Sequence, residues 1–494
     1  MFLGIDLGTS GVKLVLLEDS HRVVALADAA LEISRPHPLW SEQDPQDWWD
    51  ALCQAMEQLR GLAPQALAAV RAIGLSGQMH GAVLLDAGQR VLRPAMLWND
   101  GRAFAECAAL ERIEPRSREI TGNQAMPGFT APKLLWLRRH EPKIFAQVRT
   151  VLLPKDWLRL KLTGERVSDM SDASGTLWLD VAARRWSTAM LQACGLTAGD
   201  MPRLVEGSAV GGELLGDLAQ AWGLPASVPV AGGAGDNSAS AVAVGAVRAG
   251  QGFVSLGTSG VIFLAGEAFQ PAPHLGIHAF AHALPGRWHR MSVMLRAASA
   301  LSWVTRLTAQ RDEAALLAQA ALLRPAERGR APLFLPYLSG ERTPHNDPRA
   351  SGVLVGLRAD HGPGDIGYAV VEGVVFGLVD GWRAMVGDTP QIEELALVGG
   401  GARSELWAQL LASGLGCGLR RQEGAQAAAA IGAARLGWLA VGGDESRVCP
   451  ALQGGRVFEP DPREALQLQP RYERFRALYP ALSPHFAAMA EMVQ

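Results

Sequence analysis

LGTSGV stands at Leu7–Val12 and again, unchanged, at Leu256–Val261, close to half of the 494-residue chain apart. FLGID leads into the first copy and KLVLL leaves it; GFVS leads into the second and IFLAG leaves it. Each copy therefore predicts a strand, a tight turn and a second strand. A turn of Gly, Thr, Ser and Gly exposes several backbone N–H groups and two hydroxyls, an array suited to anionic oxygens. Its glycines let a phosphate approach without a side-chain clash. Taken singly, either copy reads first as an ordinary β-hairpin, because Gly/Ser/Thr turns are common. Repetition in the same strand context favours two similar α/β halves meeting near residue 245. Two facing loops can clamp the β- and γ-phosphates of a nucleotide. One difference separates the copies: Asp6 enters the first and Ser255 the second.

With 48% apolar and 19% charged residues, the chain has the composition of a protein able to build large cores. Its length suits two or three domains. A net charge of −3, without a Lys/Arg run, lacks the footprint of a nucleic-acid or membrane-surface binder. Cys53, Cys107, Cys194, Cys417 and Cys449 are scattered and never spaced CxxC, as in a reduced cytosolic protein without a zinc site. The opening MFLGIDLG has no basic stretch followed by an apolar one, so no secretory signal is expected. No segment reads as a membrane span. Cytoplasmic location is the expectation.

Outward from the first loop, strands are predicted at 2–6, 12–17 and 23–27, and a helix at DPQDWW, with Asp44 as cap and Pro45 in the first turn. A strand at 72–75 runs into the polar loop SGQMHG. Residues 100–200 read as mainly helical. A short strand at 228–231 ends in GGAGDN; strands at 252–256 and 261–264 flank the second loop. A strand at 395–398 opens into GGGARS, with an amphipathic helix over 404–411. The chain has no GxxxxGK[ST]. The one GxGxxG match, Gly362–Gly367, is read as chance, because Pro363 and Asp365 spoil a strand–turn–helix context.

Two acids stand out. Asp6 ends an apolar strand, where a carboxylate needs a partner; a hard divalent cation bridging phosphate oxygens supplies one. Lys13 lies within reach of the turn and can neutralise phosphate charge, or is an ordinary solvated lysine. Asp236 follows a strand and a Gly-rich loop near the junction of the halves. It reads equally as a helix N-cap or as the base that accepts a hydroxyl proton during attack on a γ-phosphate.

Together these elements resemble the FGGY carbohydrate kinases of the actin/Hsp70/hexokinase superfamily, over essentially the whole chain. Residues 4–13 and 255–261 are similar to that superfamily's two phosphate elements. LALVGGGARS (395–404) is similar to its adenosine element, and YLSGERTPHNDPRASGVLVGL (337–357) to the FGGY hallmark loop. SRPHPLWSEQDPQDWW (34–49), GLSGQMHGAVLLD (74–86), LRPAMLWNDGR (92–102), PGFTAPKLLW (127–136) and SDMSDASGTLWLD (168–180) are similar to members acting on D-xylulose. One region departs: EGAQAAAAIGAARL (423–436) stands where a Gly/Pro-containing turn is expected, near the adenine site.

The resemblance implies an α/β fold of two ribonuclease-H-like lobes with a cleft between them, 1–245 binding sugar and 246–494 binding adenosine. It implies ATP and Mg²⁺, cytoplasmic location and a homodimer, with no nucleic-acid or membrane partner. Asp236 is then the catalytic base and Asp6 the essential carboxylate beside metal and phosphates. Met79 and His80 contact the ketose, with Asn237, Asn99 and Trp98 as further sugar ligands; His80 offers one ring donor and one acceptor. Gly8, Thr9, Ser10, Gly11, Lys13, Gly257, Thr258 and Ser259 hold phosphates, and Gly399, Gly400, Gly401 and Ala402 hold adenosine. Glu341 and Arg342 read as loop anchors or an inter-domain ion pair. The implied reaction is ATP-dependent phosphorylation of D-xylulose. The alternatives are another sugar or polyol (ribulose, rhamnulose, gluconate, 1-deoxyxylulose) or a non-catalytic actin/Hsp70-like protein, which has no reason to keep a sugar pocket.

Overall fold

Both LGTSGV copies fold as the turn of a β-hairpin. The structure, a computed structural model, describes residues 1–387, 392–422 and 427–491. In the first half, β1 (Phe2–Leu7) and β2 (Gly11–Leu17) form the hairpin, and β3 (Val23–Ala30) pairs with β2. β4 (Ala72–Gly77) lies parallel to β1 on the other side; beyond it come β5 (Val210–Glu213) and β6 (Pro229–Ala231), and β7 (Ala234–Gly235) also joins β4. The order is β3-β2-β1-β4-β6-β5.

The second half repeats this plan. The hairpin is β8 (Gly252–Leu256) and β9 (Gly260–Gly266), extended through β10 (His278–Ala281) and β11 (Trp288–Met294). β12 (Glu394–Val398), β13 (Gly418–Arg421) and β14 (Val457–Phe458) continue from β8. From β11 to β14 the pairings run antiparallel, antiparallel, parallel, parallel, antiparallel, and from β3 to β5 they run in the same sequence. The duplication seen in six residues thus extends through each sheet.

Local predictions hold where local chemistry decides. Helix α1 (Pro45–Leu62) starts behind Asp44, whose carboxylate accepts from the Gln46 amide at 2.9 Å. The helix after GGGAR spans Glu405–Leu415 with Ser404 as cap. Gly362–Gly367 is the capped start of the helix Pro363–Val386, not a nucleotide turn. Residues 100–200 are less helical than expected: helices alternate with short strand pairs such as Leu179–Asp180 with Arg185–Trp186.

The halves are not independent. Helix α2 (Asp236–Ala243) leaves the first sheet, and α3 (Ala428–Ala440), from the far end of the sequence, crosses it and packs on β1 and β4. A Cβ on Gly4 would lie 1.9 Å from the Ala430 carbonyl oxygen, and one on Gly74 1.7 Å from that of Ala433. At the crossing, a Cβ on Gly432 would meet the Ala239 carbonyl oxygen at 1.8 Å. The alanine run of the departing segment is therefore a helix trimmed for close approach; residues 423–426 of that segment lie outside the described residues. Apolar side chains of both halves also merge between the sheets, Phe129 and Trp178 with Phe253, Phe263 and Phe280.

Gly74→Ala is expected to destabilise the protein by about 1–3 kcal/mol or more, because backbone cannot move aside as a side-chain tip can. Gly61→Ala, at a helical site with open space around it, is the control and is expected to be neutral or stabilising. Urea midpoints of the two variants check this; equal midpoints would contradict it.

Candidate active site

The first loop is held from below by side chains. The Gln78 amide N–H donates to the Leu7 carbonyl at 2.8 Å, tying the SGQMHG loop to the end of β1. The Thr9 hydroxyl donates to Gln78 Oε1 (3.2 Å) and accepts from Trp98 Nε1 (2.9 Å). Gln43 Nε2 donates to the Thr9 and Glu32 carbonyls at 2.8 and 2.9 Å, while its Oε1 accepts from Gln78 and from the buried Trp48. Ser10 is exposed at the tip, and Gly8 and Gly11 close the turn through Gly8 N–H to Gly11 C=O at 3.0 Å. Lys13 stands opposite Asp6 in the hairpin register.

The second loop is held from behind by the helix Ala298–Leu307. The Thr258 carbonyl accepts from the Ala297 amide (2.9 Å) and the Ser299 hydroxyl (2.8 Å), and the Gly257 carbonyl accepts from the Ala298 amide (2.9 Å). Gly257 N–H donates to Ser259 C=O at 3.1 Å. GGGA sits directly against this loop. At Gly399, with φ of 94°, a Cβ would lie 2.7 Å from the Leu256 carbonyl, and a Cβ on Gly401 would strike the Leu256 side chain at 2.7 Å. Gly400 is exposed and Ala402 buried.

Asp236 is the first residue of α2 behind the cap Gly235. Its carboxylate accepts from the Asn237 amide (2.7 Å) and from Asn237 Nδ2 (2.9 Å). The N-cap alternative therefore gives way: the carboxylate does not close the helix's first turn. Burial, and then the charge of Asp6, push Asp236 up to about 6. Burial also raises Asp6, against the opposing pull of Ser76 and Lys13. Asp6 Oδ1 is buried without a hydrogen-bond partner among the described residues. A buried carboxylate with an orphaned oxygen, whose charge also raises Asp236, suits a hard cation that takes oxygen ligands.

Beside them lies the SGQMHG loop. Met79 packs so tightly on the strand leading to Asp236 that a Cβ on Gly235 would lie 2.7 Å from Met79 Cγ. His80 has φ of 69°, and its carbonyl is clasped by Lys133 Nζ (3.0 Å) and Thr130 Oγ1 (3.1 Å). Lys133 is wholly buried, and burial pushes it down to about 7. His80 Nδ1 lies 2.7 Å from the Gly175 carbonyl. A carbonyl only accepts, so Nδ1 carries the proton and Nε2 is an acceptor; burial pushes the ring down to about 3 and keeps it neutral. The expectation of one donor and one acceptor for substrate is corrected: the donor is consumed by Gly175. Trp98 is 39% exposed with its N–H engaged by Thr9, and Asn99 is exposed beside the 35–41 segment.

Three features escaped the sequence. Lys155 is fully buried among carboxylates, 2.5 Å from Asp156, 2.8 Å from Asp169 and 3.2 Å from Asp172. Ser171 donates to Asp169 (2.5 Å) and accepts from the Gly235 amide (3.2 Å), while Arg159 donates to the Ala231 and Gly232 carbonyls. This buried network braces the segment that presents Asp236. Its only signal was acid density in SDMSD beside an apolar helix. The second feature is the pair Gln43 and Gln78 beneath Thr9. The third is an aromatic wall: Phe129 meets His80 edge-on at 4.7 Å and His278 at 5.5 Å, and His278 stacks on Phe280 at 5.4 Å. His278 and Phe280 come from β10, so the wall beside His80 is built by both halves.

The model of the FGGY family of carbohydrate kinases, N-terminal domain, matches residues 1–243, and that of its C-terminal domain matches residues 252–441. The chain is 53% identical over 490 residues to the xylulose kinase of Escherichia coli K12, covering 99% of this chain and all of that one. It is 50% identical over 487 residues to the xylulose kinase of Klebsiella pneumoniae, covering 98% and 99%. A crystal structure of a "xyloylose kinase" from Brucella ovis superposes with a TM-score of 0.94 at 49% identity, covering 98% and 99%. With one sheet plan and one loop repeated in both halves, the chain belongs to the FGGY family of carbohydrate kinases.

Proposed function

We propose that the chain transfers the γ-phosphoryl group of ATP to O5 of D-xylulose, giving D-xylulose 5-phosphate and ADP. The observation that carries this reading is Asp236: a carboxylate raised to about 6, beside Asp6 and against the Met79–His80 pocket. The two relatives above, at 53% and 50% identity, are xylulose kinases, which supports the ketose over other sugars.

In this reading Gly8, Thr9, Ser10, Gly11 and Lys13 on one side and Gly257, Thr258 and Ser259 on the other hold the triphosphate. Gly399, Gly400, Gly401 and Ala402 receive adenosine. Asp6 is the residue that would hold Mg²⁺, and the ion would neutralise charge on the transferring group. Among the described residues no cluster of three or more His, Cys, Asp or Glu side chains stands ready for a metal. His80 Nε2 accepts from a sugar hydroxyl, Met79 packs on the carbon chain, and Asn99, Trp98 and Asn237 border the pocket. Asp236 accepts the proton of O5 late in an in-line, loose transition state. The lobes are 1–245 for sugar and 246–494 for adenosine, with α3 shared. No described helix is long and apolar enough to cross a membrane; a cytoplasmic homodimer is proposed on the family resemblance.

ADP release measured across D-xylulose, ribulose, rhamnulose, gluconate, 1-deoxyxylulose, glycerol and a no-sugar control tests the reading. D-xylulose is expected to stimulate most strongly. No stimulation above the control would overturn it, and a stronger response to another acceptor would reassign the substrate.

A further inference from the structure

Arg342 lies in the hallmark loop of the second half, and that loop is pinned. Glu341 Oε1 accepts from the Leu295 amide (3.0 Å) and from the Arg342 amide (2.7 Å). Thr343 donates its hydroxyl to Gly276 C=O at 2.9 Å and its amide to Val293 C=O at 3.1 Å. The guanidinium is placed by a chain of assigned polarities. Asn123 Nδ2 donates to the Thr121 and Ala279 carbonyls, so its Oδ1 faces His278 Nδ1 (3.1 Å) as acceptor. His278 Nδ1 therefore carries the proton, and Nε2 accepts from Arg342 Nη1 at 3.3 Å. Arg342 Nε and Nη2 have no protein acceptor among the described residues, and the residue is half-buried.

The order of contacts along the pocket matters. Asp236 adjoins Gly235, on which Met79 packs; His80 follows; Phe129 and His278 come next; Arg342 lies beyond them. If O5 is at Asp236, the C1–C2 end of the ketose points toward Arg342. Closure of D-xylulose to its furanose consumes O5, so a kinase acting on O5 takes the open chain, with a free C2 carbonyl that only accepts hydrogen bonds. His80 Nε2 and Asp236 accept, and the Met79 sulfur is a weak acceptor; Asn237 Nδ2 keeps one N–H, but beside Asp236, at the O5 end.

We propose that Arg342 binds the C1–C2 end of the open-chain ketose, its Nε and Nη2 donating to the carbonyl oxygen, and so distinguishes the ketose from its reduced polyol. The second half, which already supplies His278 and Phe280 to the wall, thereby contributes a substrate-reading group as well. This rests on the sugar-kinase reading above.

The test is steady-state kinetics of Arg342→Gln and Arg342→Lys, with xylitol as competitive inhibitor against D-xylulose. A charged donor to a buried acceptor predicts a fall of about 10- to 100-fold in kcat/KM for D-xylulose in Arg342→Gln, carried mainly by KM. The Ki of xylitol and the KM of ATP are expected to move less than about threefold, and Arg342→Lys to recover part of the loss, since one ammonium cannot reproduce the fork. A D-xylulose KM within about twofold of wild type, or equal losses for ketose and polyol, would overturn the assignment in favour of a structural arginine. If Arg342→Gln does not fold, Arg342→Lys is judged by the same criteria. A wild-type protein unresponsive to D-xylulose would instead condemn the functional reading.

Discussion

Asp236→Ala is expected to abolish sugar phosphorylation while leaving nucleotide binding largely intact. A positioned general base contributes about 10²–10⁴-fold, and Asp236 adjoins the Met79–His80 pocket and feels the charge of Asp6. The two LGTSGV loops, by contrast, are fixed by Gln43, Gln78 and the helix Ala298–Leu307, which the substitution does not touch. A variant keeping more than about a tenth of wild-type turnover would sink the base assignment. The wild-type pH profile gives a second handle. The group works as a carboxylate and is raised to about 6, so kcat/KM should be flat above that pH and fall about tenfold per unit below it. That acid limb should be missing from any residual activity of Asp236→Ala.

The second large effect concerns Asp6. Asp6→Ala removes the buried carboxylate whose Oδ1 is otherwise orphaned, and with it the proposed protein ligand of the ion. Activity is expected to fall by two orders of magnitude or more, about the worth of one positioned charge at a developing phosphoryl centre. The diagnostic is the Mg²⁺ titration, whose midpoint should rise sharply; an unchanged titration would count against the metal role. The milder Asp6→Asn adds a sign test. Asp6 is the second-largest influence raising Asp236, so neutralising it should shift the acid limb of the pH profile to lower pH.

Legibility followed range. The hairpins, the Asp44 cap and the strand before GGGAR were readable because neighbours in sequence decide them. Asp6 and Asp236 stood out as candidates because a carboxylate at a strand end or after a Gly-rich loop is locally conspicuous. The aromatic wall was not: HAFAHA carries no short motif, and its meaning depends on Phe129, far away in sequence. Lys155 failed for another reason. In LPKDWLRL it has the spacing of a solvated helical lysine, and only the arrival of Asp169 and Asp172 makes burial tolerable. His80 was identified by type, but its usable valence was set by the Gly175 carbonyl. Residue type was visible, and protonation was decided by the fold.

The seat of α3 on β1 and β4 also bears on how the chain is made. Residues 428–440 close one face of a sheet whose strands were synthesised first. During translation the early lobe is expected to keep its glycine floor uncovered until nearly all of the polypeptide has left the ribosome. N-terminal domains generally fold as units as they emerge; the first lobe is expected to depart from that order. Nascent chains arrested before residue 428 should remain protease-sensitive in β1 and β4, and the two halves should reach their protected states together.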